Sequence, residues 1–263
     1  MSDLQPTLQR KQNDWEWEWN NYDGEDEWLF HDWILPNTLE DFRGKRVLDA
    51  GCGGGQHLSI LARVAREAVG VDLNASEIAV KRNANAANVS VVEGDIATVS
   101  FPEPFDVVTC IGVIHHTDDP DKTFTNLARL TKPGGKTIVW TYSHEGNFLN
   151  RTLVEGSKKI LISHLPKPVM RAISIVLTAL IYLPVYTIYL LPLRFLPYYE
   201  YFENWRKLTW STNELNVFDK LNAPTTHFTT KARITNWYAN NGYHDVVITP
   251  YRGVSWRGTG VKT

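Results

Sequence analysis

The stretch from Arg46 to Gln56, RVLDAGCGGGQ, constrains this chain more than any other. A short apolar run enters Asp49, and four glycines follow at Gly51, Gly53, Gly54 and Gly55. Glycine at that density marks backbone that takes positive φ or lets another molecule approach closely. Beyond it Leu58, Leu61, Ala62 and Ala65 recur at i, i+3, i+4, i+7, which predicts a helix over 56–68. A buried strand, a glycine turn and a helix in this order predict the first half of a nucleotide-binding βαβ unit.

Spacing within the turn selects among ligands. Dinucleotide sites use G-x-G-x-x-G/A, whose last small residue lets the helix pack close to the strand. A frame starting at Gly51 puts Gln56 in that place, and a frame starting at Gly53 puts Leu58 there, so the pattern fails in both. The pattern that does match is an acid followed by G-x-G-x-G, as Asp49, Gly51, Gly53 and Gly55. That resembles the first motif of the class I S-adenosylmethionine-dependent methyltransferases.

Further matches follow in order. A strand predicted over 68–71 ends in Asp72, whose carboxylate at a strand tip can accept from both hydroxyls of a ribose, at roughly 1.5–3 kcal/mol for each charge-assisted bond. A helix over 76–87 and a strand over 89–92 lead to Gly94 and Asp95. FDVVTCIGV, a fourth strand over 105–113, runs into His115 and His116. Asp119 and Pro120 suit the N-cap and first position of a helix over 120–130. Pro133-Gly134-Gly135 precedes a fifth strand over 136–142. At the other end a helix capped near Thr230 runs to about Asn240, and strands are predicted over 244–250 and 254–261.

The resemblance covers about residues 44–142 and is to the small-molecule type of this family, broadly similar to the ubiquinone and menaquinone biosynthesis methylases. It implies an α/β fold, a doubly wound seven-stranded Rossmann-like sheet with an antiparallel last strand between the fifth and sixth, here with a helical insertion. It implies S-adenosyl-L-methionine as cofactor, held by Asp49, Gly51, Cys52, Gly53, Gly55, Asp72, Leu73, Gly94, Asp95, Ile96, Ile111 and Gly112. In it Asp95 stands where the family accepts from the adenine amino group, with Ile96 against the ring. The reaction implied is in-line methyl transfer to a small, apolar or lipid-like acceptor.

His115 and His116 are the candidate catalytic residues. An imidazole titrates in the range a general base needs, and the alternative is a polar residue that only shapes the pocket. His116, Asp118 and Asp119 are metal-ligand types, yet the family places no metal there and none is expected. Two other functions stay open at this point: a dinucleotide-dependent oxidoreductase, and a non-catalytic S-adenosylmethionine-binding protein at a membrane surface.

Two segments frame the core. In the N-terminal arm, Trp15, Trp17, Trp19, Trp28 and Trp33 are interleaved with acids including Asp23, Glu25 and Asp26. That aromatic load predicts an ordered arm, packed on the domain or closing the site as a lid. Between the fifth strand and the last helix, 144–228 is too long for a connection. There Arg151, Lys158, Lys159, Lys167 and Arg171 precede a run from Ala172 to Leu193 without a charged residue. Its length could cross a bilayer, but one crossing would part the last strands from their sheet. A helical substrate cap, or an element in the membrane interface over 151–201, remains. The division predicted is 1–43 arm, 44–143 cofactor core, 144–228 insertion and 229–263 completion of the sheet.

A net charge of −2 and a pI near 6.4 argue against nucleic acid as partner. Cys52 and Cys110 lie far apart, and no leader pattern opens the sequence, so a cytoplasmic setting is expected, with peripheral membrane contact through 151–201 as the open addition.

Overall fold

The computed structural model describes residues 15–21, 27–73, 76–158 and 165–263. The first fourteen residues, the acids Asp23, Glu25 and Asp26 of the arm, and Lys159 of the insertion lie outside these.

The arm supplies α1 (15–21) and α2 (Glu27–Ile34). The core then alternates β1 (Arg46–Ala50), α3 (Gln56–Leu61), β2 (Glu67–Asp72), α4 (Ser76–Arg82), β3 (Val89–Glu93), β4 (Phe105–Ile111), α5 (Pro120–Leu130) and β5 (Thr131–Tyr142). The insertion follows as α6 (Glu155–Ser157), α7 (Lys167–Val185), α8 (Tyr199–Trp205) and α9 (Trp210–Asn222), and α10 (Lys231–Asn240), β6 (Tyr243–Tyr251) and β7 (Ser255–Lys262) close the chain.

The strands form one sheet in the order β3-β2-β1-β4-β5-β7-β6. β1 to β5 are parallel, and β7 runs antiparallel between β5 and β6. This is the expected doubly wound sheet with its reversed strand. The order changes direction at β1 and β4, whose carboxyl ends open the crevice where ligands of such sheets bind.

Both faces of the sheet are covered, as a parallel sheet requires. Phe124, Leu127, Trp237 and Tyr238 of α5 and α10 pack on one face with Val108 and Cys110. Leu29, Phe30, Leu58, Leu61 and Ala79 pack on the other with Val107 and Ile111. Fully burying a Leu or Phe side chain contributes about 1.5–3 kcal/mol, so these two layers hold the sheet. A third cluster lies within the insertion, where Met170, Val185, Trp205 and Phe218 join α7, α8 and α9.

Local chemistry sets the element ends. Asp119 caps α5 by accepting from the amides of Asp121 and Lys122, with Pro120 at the first turn, and Thr230 caps α10 by accepting from Arg233 N. Some elements are shorter than predicted. α3 ends at Leu61, although Ala65 still buries its methyl on the same face. α4 ends at Arg82, where Asn83 turns its amide onto Gly55 O and Ala79 O. β4 ends at Ile111 because Gly112 takes φ +78°, and Ile114–His116 coil into a 3₁₀ turn. The fifth strand instead begins early: Thr131 pairs with Phe105 and Lys136 with Val107, so 132–135 bulge between them.

The insertion leaves and rejoins the core at one point. Ser143 bridges Thr229, Thr229 N donates to Tyr142 O at 2.9 Å, and His144 N donates to Thr229 O at 2.9 Å. Its helices thereby stand over the carboxyl ends of β4 and β5.

Candidate active site

The glycine turn after β1 folds as its sequence requires. Gly51 N and Cys52 N both donate to Val71 O, which binds the turn to β2. Gly53 takes φ +50°, and a Cβ there would stand 2.5 Å from the Trp19 ring. No larger residue fits, because an L side chain is strained at that φ and would collide with the arm. Gly53 N donates to Asp72 Oδ2 at 2.9 Å, so the tip of β2 fixes the turn.

Around the turn lies a cavity of about 320 Å³. It gathers Gly51, Cys52, Gly53, Asp72, Leu73, Gly94, Asp95, Ile96, Ile111, Gly112 and His116 from the ends of β1, β2, β3 and β4. Eleven of the fourteen sequence candidates therefore share one wall, which is the consequence of parallel strands ending on one side. Asp95 is held in place by Ala97 N, which donates to its Oδ1 at 2.8 Å. Cys52 is not a reactive thiol: burial first, then the Asp72 and Asp49 charges, push its pKa well up.

Three candidates stand elsewhere. Asp49 is 1% exposed within β1, and its Oδ1 accepts from Thr109 Oγ1 at 3.0 Å, tying β1 to β4 beneath the turn. Gly55 faces α4, where its carbonyl accepts from Asn83 Nδ2 at 3.0 Å. His115 is fully buried behind the wall, its ring 4.1 Å from that of Tyr142, and neither ring nitrogen meets a hydrogen-bond partner among the described residues. Burial drives its pKa well below the usual value, so it stays neutral.

His116 is placed differently. Its Nδ1 lies 2.8 Å from Thr225 O, its Nε2 lies 3.9 Å from Asp219 Oδ1, and its side chain is 7% exposed. A carbonyl can only accept, so Nδ1 carries the proton and Nε2 the lone pair. Desolvation lowers the pKa of His116 more than the Asp219 charge raises it, which keeps that lone pair available at neutral pH. Tyr142 Oη donates to Asp219 Oδ2 at 3.2 Å, and burial holds the phenol protonated.

Several lining residues carried no motif in the sequence. Trp140 and Tyr142 alternate on β5, a period-2 signal pointing to one face. Leu215, Asn216 and Asp219 come from one face of α9, which nothing in the sequence marks as part of a site. The arm contributes Trp15, Glu18 and Trp19, and α2 contributes Trp33. Trp15 lies 5.2 Å from the His116 ring, Trp17 5.0 Å from Phe218, and Glu18 Oε2 accepts from Asn222 Nδ2 at 2.9 Å. Arm and insertion thus meet over the cavity.

These are acceptors and apolar surface that suit a neutral or cationic nucleoside. Asp72 and Asp95 present carboxylates, Leu73 and Ile96 present apolar surface, and the glycine turn presents backbone without side chains beneath the Trp19 ring. Lys122 of α5 is the one lysine or arginine among the lining residues; Arg82, which donates to Gly54 O at 2.7 Å, is not among them.

Residues 48–139 match the family described as "Methyltransferase domain". Ubiquinone biosynthesis O-methyltransferase from Thiobacillus denitrificans is 34% identical over 108 residues, 39% of this chain and 46% of the relative. The enzyme of the same name from Proteus mirabilis is 35% identical over 112 residues, 41% of this chain and 46% of the relative. The matched stretch thus spans less than half of these relatives' length. Magnesium protoporphyrin IX methyltransferase from Synechocystis, solved with bound S-adenosylhomocysteine, superposes with a TM-score of 0.52 at 15% identity over 94% of this chain and 93% of its own. At that identity the likeness is one of fold.

Proposed function

We propose, from the premise that the chain carries a class I S-adenosylmethionine-dependent methyltransferase domain over residues 48–139, that it transfers a methyl group to a small apolar acceptor. One observation carries the reading: a single cavity brings the glycine turn, Asp72, Asp95 and His116 together. The residues present fit S-adenosylmethionine, since carboxylates and bare glycine backbone suit a nucleoside that carries no phosphate. When bound, that donor supplies an electrophilic methyl on a sulfonium.

The chain's own residues do the rest. Asp72 accepts from the ribose hydroxyls, Asp95 from the adenine amino group, and Leu73 and Ile96 pack on the base. Asp49 and Gly55 act at one remove, Asp49 by joining β1 to β4 and Gly55 by letting α4 approach the turn. His116 Nε2 takes the acceptor's proton, and the nearby Asp219 carboxylate stabilises the imidazolium that forms. His115 packs beneath Tyr142 and positions this pair. The indoles of Trp15, Trp19, Trp33 and Trp140 give apolar walls that exclude water and orient the acceptor, and such positioning reaches effective molarities of roughly 10⁵ M or more.

The names of the relatives make oxygen the first acceptor atom to test. The two buried cysteines form no disulfide, which suits a reducing, cytoplasmic setting. Calorimetry tests the cofactor: the protein should bind S-adenosylmethionine and not NADH, and Asp72→Ala should weaken binding tenfold or more. Equal affinity in the variant would remove Asp72 from the site. Binding without release of S-adenosylhomocysteine on any acceptor would leave a binding protein in place of an enzyme.

A further inference from the structure

Both faces of α7 are apolar, and only the inner one, with Met170, Ile173, Leu177 and Val185, is covered. Inward, Ser174 and Thr178 are fully buried, and their hydroxyls donate to the helix's own carbonyls, Arg171 O at 2.8 Å and Ser174 O at 2.7 Å. Outward, Val169, Ile175, Val176, Leu180 and Leu183 are 41–69% exposed. The apolar surface continues past the helix through Ile188, Leu190 and Leu191 to Phe195, which is 81% exposed. A helix facing water carries polar residues outward, so a continuous apolar face marks a contact surface.

We propose that this face docks the protein on the surface of a lipid bilayer with anionic head groups. The rim favours that occupant. Arg194, Arg206 and Lys207 stand there against Glu200 and Glu203, a net +1, while Lys167 turns inward to Asn222 and Arg171 pairs with Glu214 of α9. Arg194 and Lys207 are exposed beside the apolar surface, as are Tyr186 at 44% and Trp210 at 43%, the amphipathic rings that settle at head-group depth. Basic and aromatic side chains rimming an apolar face fit a lipid interface, where head groups and acyl chains meet at that depth.

The helix lies along the surface and does not cross it. It is the one described helix long and apolar enough to span, at 19 residues. Yet Met170, Ser174, Thr178 and Val185 are buried against the protein along its whole length, so lipid cannot surround it. Its inner face packs on α9, through the cluster that holds Phe218 and Leu215, and α9 in turn presents Leu215 and Asp219 to the cavity. Docking therefore sets the insertion, and through α9 one wall of the cavity, at the bilayer surface; it does not rest on the methyltransferase reading.

Sedimentation of the full chain with vesicles tests the proposal, comparing phosphatidylcholine alone with a mixture containing about a third phosphatidylglycerol. The parent should partition onto the anionic vesicles and be released by salt. The Leu183→Asp, Phe195→Ser double variant, changed only at outward side chains, should bind at least tenfold more weakly with S-adenosylmethionine affinity unchanged. Should that variant lose S-adenosylmethionine binding, the milder Leu180→Asn carries the same comparison. A parent that stays in the supernatant overturns the proposal, as do variants that sediment like the parent. A dimer in light scattering that the variant dissociates, with no recruitment to vesicles, assigns the face to a second copy instead. Vesicle binding by a chain that fails to bind S-adenosylmethionine would leave docking standing and remove the methyltransferase reading.

Discussion

Because Thr225 O can only accept, the bond at His116 Nδ1 does more than anchor a ring: it leaves the Nε2 lone pair facing the cavity and Asp219. Of the influences on this imidazole, desolvation lowers the pKa most and the Asp219 charge raises it next. Removing the charge should lower it further. Asp219→Asn is therefore expected to move the acid limb of kcat/KM to lower pH while reducing the rate, and an unmoved limb would show that His116 is not the titrating base. His115 and His116 also make stability depend on pH. Both are held below the usual 6.5, so the unfolded chain takes up protons near that pH that the native state refuses. The sign follows: stability is full above 6.5 and falls as pH drops through it, at up to about 1.4 kcal/mol per pH unit per histidine. Urea melts between pH 7.5 and 5.5 should show that slope, and His115→Phe should flatten it.

At the scale of elements, α5 and α9 differ in what their sequences disclose. The start of α5 was legible, because Asp119 and Pro120 are local signals that the structure uses locally, whereas the Pro-Gly-Gly beyond it falls in the bulge of β5. The strands were legible because parallel strands covered on both faces read as apolar runs, and Asp72 and Asp95 because strand ends are where such sheets bind ligands. Asp219 was not legible. Its place in the cavity depends on how α9 lies over β5, which tertiary packing decides and no spacing records. His115 and His116 show the same limit within one dipeptide, since only the 3₁₀ turn after Gly112 turns one ring inward and the other to the cavity. The packing that places α9 can be tested at Phe218, which is fully buried and 5.0 Å from Trp17. Phe218→Ala should cost about 3–5 kcal/mol in urea unfolding followed by tryptophan fluorescence. A cost under about 1 kcal/mol would mean that the insertion's core contributes little to the whole.

Across the whole molecule, the sheet carries the floor of the cavity and segments remote in sequence close it. Glu18 accepts from Asn222, and Lys167 Nζ lies 2.5 Å from the same asparagine's Oδ1, so arm, α9 and α7 meet at one polar junction. Trp19 covers Gly53 on the far side of that junction. If arm and insertion form one lid, a ligand held at the glycine turn should quiet both at once, because each contacts the cavity and the other. Hydrogen exchange with saturating S-adenosylhomocysteine should then protect amides in α1 and α9 together with the turn after β1. At a ligand concentration of about a hundred times Kd, binding contributes about 2.7 kcal/mol, and roughly 2–4 °C in Tm per kcal/mol gives a shift of about 5–10 °C for a chain of this size. Protection confined to residues 46–96 with α1 unchanged would sink the shared lid, and the arm would then be packing on the domain alone. Protection of α1 and α9 that vanishes in Glu18→Gln, with the turn still protected, would place the coupling in the Glu18–Asn222 bond.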